Sequence, residues 1–278
     1  PPPPPHPTRR RHPRSGPQSR GLGEVYKRQV LPFSALAASG NAGNSFRGQL
    51  RLERFFNPAS DVQWTVQMAL SNPINSTVDP AFRLLESNGW PNVEGRIALG
   101  LGDRSGPLSL RPFEFGLSGV VGEIRSTPVP NPPVFADVWG GAVDFRAAVS
   151  QSCGVLGEVY TGQSLGTYNA GILQNIKSVT LEEVRSSGGF IETYVYLSPR
   201  LHTHLGYGID NPRDADLPAT LAAGARSKNQ TYFANLLWDV NQTFRLGFEF
   251  TYRDTEYRSP LLRDNQGPGF HTQLQWLF

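Results

Sequence analysis

From Phe46 onward, polar and apolar residues alternate in short runs separated by turn-forming segments, which is the signature of β-strands buried on one face. FRGQLRLER (46–54) sets Phe46, Leu50 and Leu52 against Arg47, Gln49, Arg51 and Glu53. DVQWTVQMAL (61–70) sets Val62, Trp64, Val66, Met68 and Leu70 against Gln63, Thr65 and Gln67. The same period runs through 93–101, 113–121 and 143–149. It is clearest in TFRLGFEFTYR (243–253), where Phe244, Leu246, Phe248, Phe250 and Tyr252 oppose Arg245, Glu249 and Arg253. Weaker runs at 155–161, 189–197, 200–209 and 229–240 fill the gaps, and GFHTQLQWLF (269–278) adds a last one. The pattern predicts an all-β, antiparallel chain of about eleven strands, each near the ~9–11 residues that a tilted membrane-crossing strand uses. No segment has a sustained helical period.

A soluble sandwich and a membrane barrel both carry such alternation, with opposite faces toward solvent. Three features favour the transmembrane β-barrel. Opposed charges lie deep within strands (Glu94 with Arg96, Asp144 with Arg146, Arg245 with Glu249), while the other face is crowded with large aromatics. Connections alternate in length: short at 55–60, 102–106, 151–154, 198–199 and 239–242, long at 71–92, 122–133, 162–188, 210–228 and 259–268. Outer-membrane barrels have short turns on the periplasmic side and long loops outside. Finally, the sequence stops on an aromatic, with Phe270, Leu274, Trp276 and Phe278 on one parity. This resembles the terminal strand read by the barrel-assembly machinery of outer membranes, whereas on a soluble protein it would be an aggregation-prone edge.

Parity carries a further expectation. If the last strand descends to the periplasm, the strand at 46–54 also descends. An odd set conflicts with the even strand counts of bacterial barrels, so upstream strands are expected to be missing. The stretch 30–45 is then read as an external or inward-folded loop, with Ala35-Leu36-Ala37 as an alternative signal-peptidase site.

Composition changes the picture in one place. The net charge of +3 comes from residues 1–29, which hold seven basic residues, one acid and eight of the 24 prolines. Without them, 26 basic and 23 acidic residues become 19 and 22, a net of −3. The charge therefore gives no reason to expect nucleic-acid binding. This segment has neither periodicity nor an apolar stretch, so it is expected to be disordered. Val25-Tyr26-Lys27-Arg28-Gln29 is what a sequencing-library adapter would encode, and 1–29 is read as a non-native leader, a genuine basic tail being the alternative. One cysteine, Cys153, excludes a disulfide framework within the chain.

The segments QMALSNP (67–73), GEVYTGQSLGTYNAGILQ (157–174), HLGYGIDNP (204–212) and ANLLWDVNQTFRLGFEFTYRDTEY (234–257) resemble outer-membrane porins of the DcaP-like group, in the variety found in planctomycete-like bacteria. The resemblance covers most of the chain after the leader. It implies a porin of the outer membrane in a Gram-negative-type bacterium, a homotrimer when full-length, passing small hydrophilic solutes among outer-membrane lipid. By the same resemblance, a signal peptide and an N-terminal half of the barrel are expected upstream of this sequence.

Neither an enzyme nor a cofactor is expected, the alternative to a porin being a closed, plugged or enzymatic barrel that does not conduct. GQSLG lacks the Gly-Lys-Ser/Thr ending of a phosphate loop. His202 and His204 lie one strand repeat apart on the polar face, but two ligands without a third make a weak metal site, and wet lumen histidines are the expectation. His271 has no serine assigned to it. The expected pore-lining residues are Arg96, Glu114, Arg146, Glu158, Glu192, Arg245, Glu249 and Arg253, each either biasing ion selectivity or bracing the wall through ion pairs. The loop 162–188 is expected to constrict the pore or to cover its mouth.

Overall fold

The computed structural model describes residues 38–43, 48–57, 60–72, 90–103, 111–126, 134–177, 180, 182–219, 225–241 and 243–276. The leader at 1–29 and the terminal Phe278 lie outside them. Eleven strands follow in order: β1 (Gln49–Phe56), β2 (Val62–Ser71), β3 (Asn92–Leu101), β4 (Phe113–Ser126), β5 (Val134–Ala148), β6 (Cys153–Gln163), β7 (Arg185–Ser198), β8 (Leu201–Pro212), β9 (Arg226–Asp239), β10 (Phe244–Tyr257) and β11 (Asn265–Trp276). They form one sheet, and each strand pairs antiparallel with its sequence neighbours. Among the described residues β1 and β11 are its two edges.

Every strand foreseen from alternation is present. Several run further than the pattern indicates: β4 continues to Ser126, β5 begins at Val134 and β7 begins at Arg185. The connection 102–112 is longer than the stop at Gly106 suggested, and it outruns 127–133 and 258–264 at the opposite end. Alternation of connection length is therefore a tendency in this chain and not a rule.

Burial is inverted with respect to a soluble protein. Glu94, Arg96, Asp144, Arg146, Glu158, Glu192, Asn235 and Glu249 are buried, whereas Met68, Ile97, Leu117, Val159, Ile191, Leu205 and Leu236 are exposed. Because side chains alternate across a strand, this assigns one face to each set: charged groups inside, hydrocarbon outside. Exposed aromatics flank the outward aliphatic band. Phe56, Trp64, Phe113, Phe115, Trp238 and Trp276 lie toward the short-turn end, and Phe135, Trp139, Tyr232 and Tyr252 toward the other. Aromatic girdles above and below an apolar band are what a bilayer selects, since amphipathic rings settle at the headgroup level.

The inner face turns apolar toward the long-connection end. Val120, Ile124, Ala136, Val138, Ala142 and Tyr160 form a buried cluster with Ala42, Leu165, Tyr168, Ala170 and Ile176. The last four belong to the connection between β6 and β7, so this loop packs against the inner wall. Residues 38–43 lie beside it, joined by hydrogen bonds from Ala38 N to Asn169 O (3.2 Å) and from Gly43 N to Tyr168 O (2.6 Å). Part of the stretch expected as an external or inward-folded loop is thus folded inward. Gly40 makes that possible: its φ is +95°, and a Cβ there would stand 2.0 Å from the Gly189 carbonyl oxygen.

Candidate functional site

Among the described residues the inner face gathers the buried charge, and its strands place the groups by parity. On β3 and β5, inward parity aims Arg96 and Asp144 at each other over the small Gly116 of β4, where a Cβ would meet both at 2.5 Å. Arg96 donates to both carboxylate oxygens of Asp144, from Nε at 3.0 Å and Nη2 at 2.6 Å, and to Glu114 Oε1 at 3.1 Å. Such a fork-shaped contact is directional, and a buried charge demands it. Below it, Arg146 donates to the Arg111 carbonyl. Arg111 itself grips Gln63 Oε1 (3.1 Å) and the Gly102 carbonyl (2.6 Å), tying the 102–112 connection to the wall. Arg245 pairs with Asp239 at 2.5 Å, and Arg253 donates to Thr231 Oγ1 at 3.2 Å. Glu158 and Glu249 are buried on the same face.

All eight residues singled out from sequence therefore project to the inner side. They do not form one ring. Arg96, Glu114 and Arg146 gather on β3–β5, Glu158 and Glu192 stand on β6 and β7, and Arg245, Glu249 and Arg253 follow β10. Asp144, the strongest partner in the set, was visible in the sequence as the counter-charge of Arg146; the structure pairs it with Arg96 instead, two strands away.

The histidines differ from expectation. His202 and His204 are buried, not wet. His204 Nδ1 is 2.5 Å from Glu192 Oε1, and its Nε2 is 2.8 Å from His202 Nδ1, while Tyr196 stacks on His202 at 4.9 Å. The reason is the company on that part of the wall: Leu156, Phe190, Tyr194 and Phe233 are inward and packed together. A carboxylate next to Nδ1 fixes the tautomer of His204. Among the described residues no group of three or more His, Cys, Asp or Glu could hold a metal, and neither imidazole hydrogen-bonds a serine or cysteine. The arrangement braces the wall.

The β6–β7 loop crosses the concavity between two anchors. At one, Tyr168 donates to Glu94 Oε1 (3.2 Å) and accepts from Asn92 Nδ2 (3.0 Å), with Ser71 also on Glu94 (2.5 Å). At the other, Asp210 of β8 receives Tyr160 OH (2.5 Å) and the backbone N–H groups of Gly171 (3.1 Å) and Ile172 (2.8 Å). Gln174 Nε2 adds a bond to the Arg226 carbonyl of β9, 2.8 Å away. The loop is thus a chord from β2–β3 to β8–β9. Outside the strands, the carboxyl of Asp216 is held below its usual value by its hydrogen bonds to Arg185, 2.6 and 2.7 Å long.

No protein-family model matches the sequence, and no curated protein matches it. In structure the chain is similar to the outer-membrane channel DcaP of Acinetobacter baumannii, with a TM-score of 0.61 and 14% identity over 85% of this chain and 64% of that one. The fold is that of an outer-membrane β-barrel. An anion-selective porin from Comamonas acidovorans also matches, with a TM-score of 0.49 and 9% identity over 88% of this chain and 63% of that one. The chain spans less than two thirds of the length of either neighbour.

Proposed function

We propose that these eleven strands belong to a porin of the outer membrane, passing small hydrophilic solutes by passive diffusion. The observation that carries this reading is the inverted burial: charged side chains inside, an aliphatic band with two aromatic girdles outside. Unpaired strand edges are too costly in hydrocarbon, so further strands between β11 and β1 close the barrel. On this reading the long connections face outward and the short ones the periplasm. Phe270, Leu274, Trp276 and Phe278 serve as the assembly signal, the complete protein is a trimer of the DcaP-like group, and lipid is its outer partner.

Arg96, Glu114, Arg146, Glu158, Glu192, Arg245, Glu249 and Arg253 line the lumen in two roles. Arg96, Glu192 and Arg245, each locked to a counter-charge or an imidazole, hold the wall in shape. Arg253, exposed on the inner face and hydrogen-bonded to Thr231, meets passing solutes. The chord formed by the β6–β7 loop narrows the passage.

That chord also favours a second reading, a plugged barrel that does not conduct. Reconstitution of the full-length protein in planar bilayers separates them. Discrete current steps are expected from a porin; their absence at every voltage applied ends the porin reading and leaves the plug.

A further inference from the structure

Residues 171–173 are the oddest backbone in the molecule. Gly171, Ile172 and Leu173 have φ of +59°, +49° and +65° in succession. A β-branched residue in the left-handed region is an outlier, because its Cβ crowds the backbone carbonyl. Strain of this kind persists only where the surroundings over-determine it. A run of this conformation is one turn of left-handed helix, whose first N–H groups have no partner within the turn and are aimed toward one point beyond it. The point is the fully buried carboxylate of Asp210, which takes the N–H of Gly171 on Oδ1 and that of Ile172 on Oδ2. Tyr160 OH supplies a third donor, so both oxygens are engaged.

We infer that Asp210 is the positioning residue that sets the width of the lumen, by clamping the far end of the β6–β7 chord to the wall. The near end does not depend on it. Leu165 and Tyr168 are held by apolar packing against Val120, Val138 and Ala142 and by the Glu94 contacts. The far end is buried as well, with Ile172 2% exposed and Ala170 and Ile176 in the same apolar cluster, but its turn is seated on β8 through Asp210. Its polar ties to β8 and β9 include the two N–H bonds to Asp210 and the Gln174–Arg226 bond. Loss of the carboxylate removes both reasons for the left-handed run, the charge it faces and the compensation for its strain. The segment around Ile172 then relaxes away from β8 and opens the side of the lumen it occupied.

This inference rests on the channel reading for its functional consequence, not for the clamp itself, so two readouts are needed. In a Cys153→Ser background, Ala170→Cys places a thiol at a fully buried position of the chord. Its labelling by a bulky maleimide in detergent micelles reports release of the loop without reference to current. Asp210→Ala is compared with the isosteric Asp210→Asn, and each is checked for barrel formation by its heat-dependent shift on a gel. Removal of charge-assisted hydrogen bonds of this kind predicts labelling about tenfold faster or more in both variants. In planar bilayers the same substitutions predict larger current steps and passage of larger neutral solutes. Tyr160→Phe, which leaves both N–H bonds in place, is expected to fall between. Labelling unchanged in both Asp210 variants overturns the inference, as does faster labelling with wild-type conductance. Faster labelling with no current from any version, wild type included, upholds the clamp and removes the porin.

Discussion

Leu117 tests the inverted burial most directly. It lies on β4 with its side chain outward, 48% exposed, beside Ile97 of β3 and Val143 of β5. On the surface of a water-soluble protein, replacing such a leucine with arginine is close to free, within about 0.5 kcal/mol. In a bilayer the answer is different. Along β4 the outward positions run from the aromatic Phe115 to the acidic Glu123. At ~3.4 Å per residue and a tilt of ~40°, they span about 20 Å of height. Leu117 then sits about 5 Å above the ring of Phe115 and about 5 Å from the middle of the band. Arginine at the midplane of a membrane barrel costs about 2–4 kcal/mol and little near the interfaces, so Leu117→Arg should cost about 2 kcal/mol. That is roughly a thirtyfold loss in the ratio of folded to unfolded chain. Urea titration of the full-length protein in phosphatidylcholine vesicles, followed by tryptophan fluorescence, measures it. A destabilisation below about 0.5 kcal/mol would refute the assignment of this face to lipid.

The other predictions are briefer. Arg96→Met strands Asp144 and Glu114 in the interior and should cost about 3–5 kcal/mol in the same titration, with part of the loss recovered by adding Asp144→Asn; no recovery would mean that the pair is not coupled. Asp216, depressed by Arg185, ties the turn after β8 to the start of β7 with full strength above the ordinary aspartate range. Its contribution vanishes as pH falls through the lower folded value, so hydrogen-exchange protection near Arg185 should drop in that acid window and lose this dependence in Asp216→Asn. Trp276→Ala removes an aromatic pair with Phe244, 5.4 Å between centroids, at about 0.5–1.5 kcal/mol beyond lost area. Combined with deletion of Phe278, it should lower the fraction of heat-shifting, assembled protein in cell envelopes, and an unchanged fraction would count against the assembly signal.

Alternation was enough to find the strands and their faces because the period of a strand is two, and one-sided burial writes that period into the sequence. It failed where the inner face turned apolar. Val120 and Ile124 on β4, and Ala136, Val138 and Ala142 on β5, point inward yet are apolar, since they meet the β6–β7 loop instead of water. Above the aliphatic band the order reverses, with Ile124 and Ala136 inward and Glu123, Arg125 and Asp137 outward, so the parity set lower on each strand no longer holds and the upper parts of these strands read as loop. The histidines were misjudged for a related cause: Phe190, Tyr194 and Phe233 share their face, but their parity relative to His202 becomes plain only once the register of β7, β8 and β9 is set. Asp210 shows the limit of reading along the chain. It is an ordinary aspartate near a strand end until the loop from β6 is folded onto it.

The connectivity itself has a consequence for how such a protein changes over generations. Because among the described residues every strand hydrogen-bonds only to its immediate predecessor and successor, a hairpin can be duplicated or deleted without rewiring any other pairing. Circumference is then free to drift in steps of two. Glu94, Tyr168 and Asp210 set a bound on that freedom: they join ribbons far apart around the wall, so a hairpin inserted between β3 and β8 would pull the two moorings of the chord apart.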